Sequence, residues 1–284
     1  MEQRDRASGW KYAKLSGHRN EDLVKDKLDC DPDYAAAFLR RLGYTDEYIT
    51  VTSVGGLHET DVPSACGCRK TKSKTDLKVC ISNGDIVNIS IKKSLSGQVY
   101  FVRAGRFIET FEKQFQQAIP DSVKRAISLF WAAADDAPEI IRQYADRSST
   151  KSYELQMRHH SLNATTLWAY DQSLYGDLLN WFTVNASQIA ALCFGMGAVR
   201  DTGEWSDFVW YVNLLGEHDI DALFSIRDIC HASENHAQTE TVYGATNGGT
   251  TIQLPFGFVQ WHQGQLQFHH QFEKVSHLVR PRGY

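Results

Sequence analysis

The stretch KTKSKTDLKVCISNGDIVNISIKKS, Lys70 to Ser94, decides how the rest of the chain is read. It holds two β-rich runs, DLKVCI and DIVNISIKK, on either side of Asn83-Gly84, a dipeptide that favours the left-handed backbone of a tight hairpin turn. Side chains alternate along a strand, so Ser90 and Lys92 point to one face and Ile91 to the other. Asp76 lies on or just before the first strand, behind a basic run of Arg69, Lys70, Lys72 and Lys74. The pattern puts a carboxylate, a hydroxyl and an ammonium on neighbouring strands in positive surroundings.

That set suits metal-assisted cleavage of a phosphodiester. A carboxylate holds Mg²⁺, the metal polarises the phosphate and acidifies a water, and the ammonium orients the water and offsets developing charge. One carboxylate makes a poor magnesium site, so a second acid is expected. In SGHRNEDLVKDKL, read as a helix opened by Ser16 or Gly17, Glu21 shares the apolar face of Val24 and Leu28. An acid aimed inward needs a partner, and a metal is one. Glu112 borders the apolar stripe of a later helix and ranks second; Glu109 sits farther onto the polar face and ranks third. Glu21 also has a plain alternative in its i+4 neighbour Lys25, and the hairpin in a solvated lysine face.

The order around the hairpin is helix, helix, β-meander, helix. DPDYAAAFLRRLG carries Pro32 in its first turn and Gly43 past its end, as helices do. GQVYFVR reads as a third strand of the meander, and GRFIETFEKQFQQAI places Phe107, Ile108, Phe111, Phe115 and Ile119 on one helical face. The expected fold class is α/β, a mixed β-sheet flanked by helices.

These residues resemble the type II restriction endonucleases of the PD-(D/E)XK superfamily over about residues 15 to 115. Glu21 stands in the first helix, Asp76 before a strand in SKTDLKV, and SIKKS where the (D/E)XK half belongs. The resemblance implies a restriction-endonuclease-like core, Mg²⁺, a homodimer, and cleavage of both strands of duplex DNA at a short defined sequence. The catalytic set it implies is Asp76, Ser90, Lys92 and Glu21, with Asp76, Glu21 and Glu112 as candidate metal ligands. Ser90 departs from the pattern: it occupies the acidic position and brings no charge to a metal, which gives the helix acids their importance. Two alternatives stand beside this reading, a structure-specific DNA repair nuclease of the same fold and a noncatalytic DNA-binding protein.

The carboxyl-terminal half reads as a helical middle followed by a β-rich end. The helical patterns are DSVKRAISLFWAAA, PEIIRQYA, ATTLWAYDQSLYGDLLNWF and SQIAALCFGMG; a strand DFVWYVNLL and a helix from Asp219 or Asp221 follow. In FVQWHQGQLQFHH, a turn at Gln263-Gly264 pairs His262 with Gln265, Trp261 with Leu266, Gln260 with Gln267 and Val259 with Phe268. One face packs inward; the other offers Gln260, His262, Gln265, Gln267 and His269. Glutamine and histidine can bond base edges, and a two-stranded ribbon fits the major groove, although a solvated sheet face has the same composition. Gln98 and the Arg158, His159, His160 run join the candidate DNA contacts, with Lys72, Lys74 and Lys93 on the phosphates. The chain is read as one domain, with a catalytic core over about 12–145 and a recognition and dimer-contact part over about 146–284.

Composition sets limits. At 284 residues with 42% hydrophobic content the chain can fill a large core, and a formal charge of −4 excludes coating nucleic acid by bulk charge. MEQRDRASGW has no apolar stretch behind its charges, and the longest mostly apolar run, Ala190 to Val199, is too short to span a bilayer, so a cytoplasmic protein with no membrane partner is expected. The cysteines are sparse and irregular, which suits reduced thiols. His58, Cys66, Cys68 and Cys80 lack the paired knuckles of a zinc site. No P-loop, dinucleotide fingerprint, HEXXH motif or serine triad is legible.

Overall fold

The computed structural model describes residues 6–45, 47–59, 61–67, 70–237, 249–262 and 264–283; for 6–14, His58, Ala237 and His262 it describes the backbone alone. The chain divides into two compact units, Met1–Leu95 with Phe194–Ile229 and Val279–Tyr284, and Ser96–Cys193 with Cys230–Leu278.

The first unit is built on helices α1 (Arg6–Cys30) and α2 (Pro32–Leu42) and strands β1 (Ile49–Ser53), β4 (Leu77–Ile81), β5 (Ile86–Lys92), β7 (Phe208–Val212) and β8 (Asp221–Ser225). The strands form one sheet in the order β1-β4-β5-β7-β8. Its pairs are antiparallel except β5 with β7, so the sheet is mixed and the expected fold class holds. A small ribbon of β2 (Asp61–Pro63) and β3 (Lys70–Lys72) precedes β4.

Local chemistry fixes these pieces. Gly84 takes a φ of 96° and donates its N–H to the Ile81 carbonyl at 2.9 Å, closing the β4–β5 hairpin where Asn-Gly predicts it. Helix α2 starts on the Asp31 carboxylate, which accepts from Tyr34 N at 3.0 Å, and ends on left-handed Gly43. Val24 and Leu28 of α1 and Phe38 and Leu39 of α2 pack in one core with Val51, Leu77, Val79, Ile89, Ile91 and Trp210. Phe38 stacks on Trp210 with ring centroids 4.8 Å apart. Burying each of these large side chains contributes about 1.5–3 kcal/mol.

One polar group aligns α1 with the sheet. Asn20, fully buried, donates to the Val212 carbonyl at 2.9 Å and accepts from Leu214 N at 2.8 Å. The next residue on the helix is Glu21, so this clamp helps set where that acid lies.

The second unit carries β6 (Ser96–Val102), helices α3 (Ala104–Phe115), α4 (Asp121–Trp131), α5 (Ala137–Tyr144), α6 (Thr150–His159), α7 (Ala164–Tyr170), α8 (Gln172–Val184) and α9 (Ala186–Ala191), strands β9 (Thr251–Leu254), β10 (Gly257–His262) and β11 (Gln265–Gln271), and α11 (Phe272–Leu278). Its antiparallel sheet has the order β6-β11-β10-β9. Phe107 and Phe111 of α3, Trp181 and Phe182 of α8, and Phe268 of β11 form its aromatic core.

The expected terminal hairpin register is observed, from Val259 opposite Phe268 to His262 opposite Gln265. Four local expectations are corrected. Helix α1 begins at Arg6 rather than near Ser16, since an isolated Gly17 weakens a helix without ending it. GQVYFVR leaves the meander: β7 occupies the edge of β5, and β6 pairs with β11 instead. The helix expected from Asp219 or Asp221 is strand β8, followed by α10 (Ile226–Ala237). There Asp221 Oδ1 accepts from both Trp210 Nε1 and Arg41 Nη1 at 2.6 Å, and pairing with β7 overrides helical propensity. The pattern ATTLWAYDQSLYGDLLNWF breaks in two because the Asp171 carboxylate caps a new helix at Ser173 and Leu174. Among the described residues no helix is long and apolar enough to cross a membrane.

Replacing Asn20 by Ala leaves a buried carbonyl and a backbone N–H unpaired, and is expected to destabilise the protein by about 2–4 kcal/mol in urea unfolding. A loss under about 0.5 kcal/mol, the range of an ordinary surface change, would contradict the clamp.

Candidate active site

Three backbone segments of the first unit converge at the start of β4. Asp76 N donates to the Ile89 carbonyl at 2.8 Å, and Val54 N and Gly55 N both donate to the Asp76 carbonyl at 3.0 Å. Asp76 is thereby pinned between β5 and the loop that follows β1. Its Oδ2 accepts from Ile91 N at 2.6 Å and from the Ser90 hydroxyl at 3.3 Å.

Lys92 completes this side of the site. Its ammonium donates to Ser90 Oγ at 2.6 Å and to the Ile91 carbonyl at 3.0 Å. Ser90 is buried, and its hydroxyl links the lysine to the aspartate. An ammonium has three N–H donors, so one remains for a ligand.

Glu21 approaches from α1. Its Oε2 accepts from Gly56 N at 2.5 Å and lies 3.2 Å from His18 Nδ1. The Gly55-Gly56 turn runs between the two acids. A β-carbon added at Gly55 would stand 2.7 Å from Glu21 Oε2 and 3.0 Å from Asp76 Oδ1. Gly55 has a φ of −85°, so glycine is required there by space rather than by backbone conformation. In Gly56, at a φ of 73°, both reasons apply, because a β-carbon would also meet Asp22 Oδ1.

The electrostatics follow from this closeness. Burial and the adjacent Glu21 carboxylate push Asp76 from 3.8 up to about 7, against the opposing pull of Lys92, Ile91 N and Ser90. Among the described residues no hydrogen bond reaches Asp76 Oδ1 or Glu21 Oε1, so each acid is anchored through one oxygen. The described residues include no group of three or more His, Cys, Asp or Glu side chains arranged to enclose a metal ion.

Glu21, Asp76, Ser90 and Lys92 thus come together. Glu112 lies in the second unit, where its carboxylate accepts from Ile119 N at 3.0 Å and pairs with Lys124 at 2.7 Å, contacts that pull it below the usual carboxylate range. Glu109, on the same helix, faces Arg106 at 3.5 Å. Several expected phosphate lysines are also engaged: Lys72 with Asp61 at 2.9 Å and Glu59 at 3.6 Å, and Lys93 with Glu217. Lys74 runs its methylenes along Gly197.

The candidate base-reading residues occupy the second unit. Gln260, Gln265, Gln267 and His269 share one sheet face with Gln98 and Phe101 of β6. Gln267 is 8% exposed, and β11 lies between β6 and β10 in the sheet, a correction to the open two-stranded ribbon expected from the sequence. His269 stacks on Phe258 at 4.6 Å and meets Gln260 Nε2 at 3.3 Å. Arg158 is exposed near the end of α6, His160 caps it with a φ of 49°, and His159 packs on Trp261 at 4.6 Å. The His262 side chain, Arg69, Gln263, the His58 side chain and Cys68 lie outside the described residues; Cys66 is buried and Cys80 is on β4. His18, Glu59 and the Gly55-Gly56 pair were not singled out in the sequence, although a histidine three residues before an inward acid and a Gly-Gly before HE were visible signals.

With its acid raised, the folded protein holds a proton between about pH 4 and 7 that the unfolded chain has lost, so stability falls as pH rises through that window. Asp76→Asn keeps an oxygen for Ile91 N and removes the charge. In chelator-treated protein, the melting temperature of Asp76→Asn relative to wild type is expected to rise from pH 5 to pH 8; a constant difference would contradict the shift.

No family model matches the chain, and no curated protein matches it. Among solved structures the chain is similar to restriction endonuclease MspI in complex with its cognate DNA, at 12% identity and a TM-score of 0.43, over 92% of this chain and 87% of that one.

Proposed function

We propose that the protein is a Mg²⁺-dependent, site-specific endonuclease of double-stranded DNA, acting as a homodimer in the manner of a type II restriction enzyme. The observation that carries this reading is the meeting of Glu21 and Asp76 across Gly55, with Lys92 tied to Asp76 through Ser90.

The donor set fits a hard divalent cation. It is made of carboxylate oxygens, the acids repel each other, and among the described residues Asp76 Oδ1 and Glu21 Oε1 accept no hydrogen bond. Glu21 and Asp76 would hold the ion, whose remaining ligands would be water and phosphate, as is usual for Mg²⁺. When bound, Mg²⁺ supplies Lewis acidity to the scissile phosphate and lowers the pKa of water.

The protein's own groups do the rest. Ser90 and the Ile91 carbonyl fix the Lys92 ammonium, and its remaining donor is directed to the attacking water or a phosphate oxygen. In this arrangement the Ser90 hydroxyl orders the lysine. Water adds at phosphorus and gives up its proton to solvent, one P–O ester bond breaks, and the departing oxygen takes a proton from solvent. Ser90 at the usual acidic position leaves Glu21 to supply the second carboxylate. Base readout falls to the glutamine and histidine face of the second unit, Gln98, Gln260, Gln265, His269 and the largely buried Gln267, together with Arg158, His159, His160 and His262. Lys74, and Lys72 and Lys93 once drawn from their acids, face the phosphates.

Digestion of unmethylated plasmid and phage DNA with and without Mg²⁺ tests this. Discrete fragments are expected only with the metal, with cleavage abolished in Asp76→Ala and slowed by about 10²–10³-fold in Lys92→Ala. Cutting confined to branched or flapped DNA would favour a repair nuclease. Binding without cleavage under any divalent ion would favour a noncatalytic DNA-binding protein.

A further inference from the structure

We infer that His18 is a positioning residue for the candidate cation site, holding the Glu21 carboxylate in the orientation that meets Asp76. The inference rests on the proposed metal-binding role of Glu21 and Asp76.

His18 and Glu21 lie one turn apart on α1, and both side chains are largely covered, at 15% and 13% exposed. A glutamate has three rotatable side-chain bonds, so bringing its charge beside another carboxylate requires something that opposes its escape. Two donors meet Glu21 Oε2: Gly56 N at 2.5 Å and His18 Nδ1 at 3.2 Å. An ionised carboxylate only accepts, so Nδ1 carries the hydrogen. The far nitrogen of the ring faces Glu59 Oε2 at 3.9 Å, and that carboxylate lies 3.6 Å from Lys72 Nζ. The imidazole is therefore set between two acids, with Glu59 anchored in turn by the β2–β3 ribbon. The hydrogen bond from Nδ1 is the kind of contact by which a neighbouring group orients a metal-binding carboxylate, and Glu59 on the far side of the ring adds a longer-range electrostatic hold. Both donor contacts fall on Oε2, and among the described residues Glu21 Oε1 accepts no hydrogen bond.

The two ring nitrogens can be tested separately. Asparagine places its amide near Nδ1 and can keep the bond to Glu21; glutamine places its amide near Nε2 and can keep only the side toward Glu59. Mn²⁺ binding to the full chain, followed by calorimetry and by the loss of free-ion electron paramagnetic resonance signal, is measured for wild type, His18→Asn, His18→Gln, His18→Ala and Glu21→Gln. Glu21→Gln is expected to weaken binding strongly, His18→Ala and His18→Gln to weaken it by about 10–100-fold, and His18→Asn to restore affinity close to wild type. Wild-type affinity in His18→Ala or His18→Gln with weak binding in Glu21→Gln overturns the role of His18 and leaves the site intact. Equal weakening in the asparagine and glutamine variants also overturns it, because the loss is then not specific to the Nδ1 contact. Wild-type affinity in Glu21→Gln removes the metal-site reading itself, and this inference with it.

Discussion

The repulsion between the Asp76 and Glu21 carboxylates is the constraint around which the first unit is organised. Two acids set beside each other and partly withdrawn from water raise the cost of ionising both, and the upward shift of Asp76 is that cost expressed as proton affinity. The fold opposes their separation with backbone. Ile91 N holds one acid, Gly56 N the other, and the missing side chain of Gly55 provides the space between them. The longer-range elements serve the same end: Asn20 clamps α1 to β7 one residue before Glu21, and the parallel pairing of β5 with β7 fixes the strand that carries Ser90 and Lys92. Apolar burial makes this scaffold stable, but the polar clamp and the register decide where the charges fall.

A serine at the position between aspartate and lysine changes the electrostatics of the site. An acid there would add a third negative charge; Ser90 instead accepts from Lys92 and donates to Asp76, so it transmits the lysine's influence without adding repulsion. The surrounding lysines are held in a similar balance. Lys72 and Lys93 are paired with acids and partly neutralised. A polyanion would have to compete with Glu59, Asp61 and Glu217 for them, a contest that grows harder as salt screens the attraction.

Much of the site was legible because strand and helix periods determine which side chains share a face. The Asn-Gly turn fixed the β4–β5 hairpin, alternation placed Ser90 with Lys92, and the i, i+3, i+7 spacing of Glu21, Val24 and Leu28 directed an acid toward the sheet. The terminal hairpin register followed from matching apolar residues across its turn. What was not legible depended on long-range pairing. Nothing local states that β7, far along the chain, takes the edge of β5, or that β6 therefore pairs with β11 and leaves Gln267 in an interior strand. Glu112 had the right helical face, but its carboxylate is taken by Lys124 and Ile119 N, partners that only the folded chain brings near. His18 carries little signal in its own spacing, because its contact with Glu21 is completed by the loop at Gly56.

Anomalous diffraction from crystals equilibrated with Mn²⁺ tests the central claim most directly, since Mn²⁺ substitutes for Mg²⁺ and reports its own position. The expected result is a peak about 2.1–2.2 Å from a carboxylate oxygen of both Glu21 and Asp76, in a crystal whose Gly55-Gly56 turn still passes between them. Crystals with Mn²⁺ bound elsewhere, or with no peak between these acids at saturating metal, would contradict the claim that their enforced closeness exists to hold a cation.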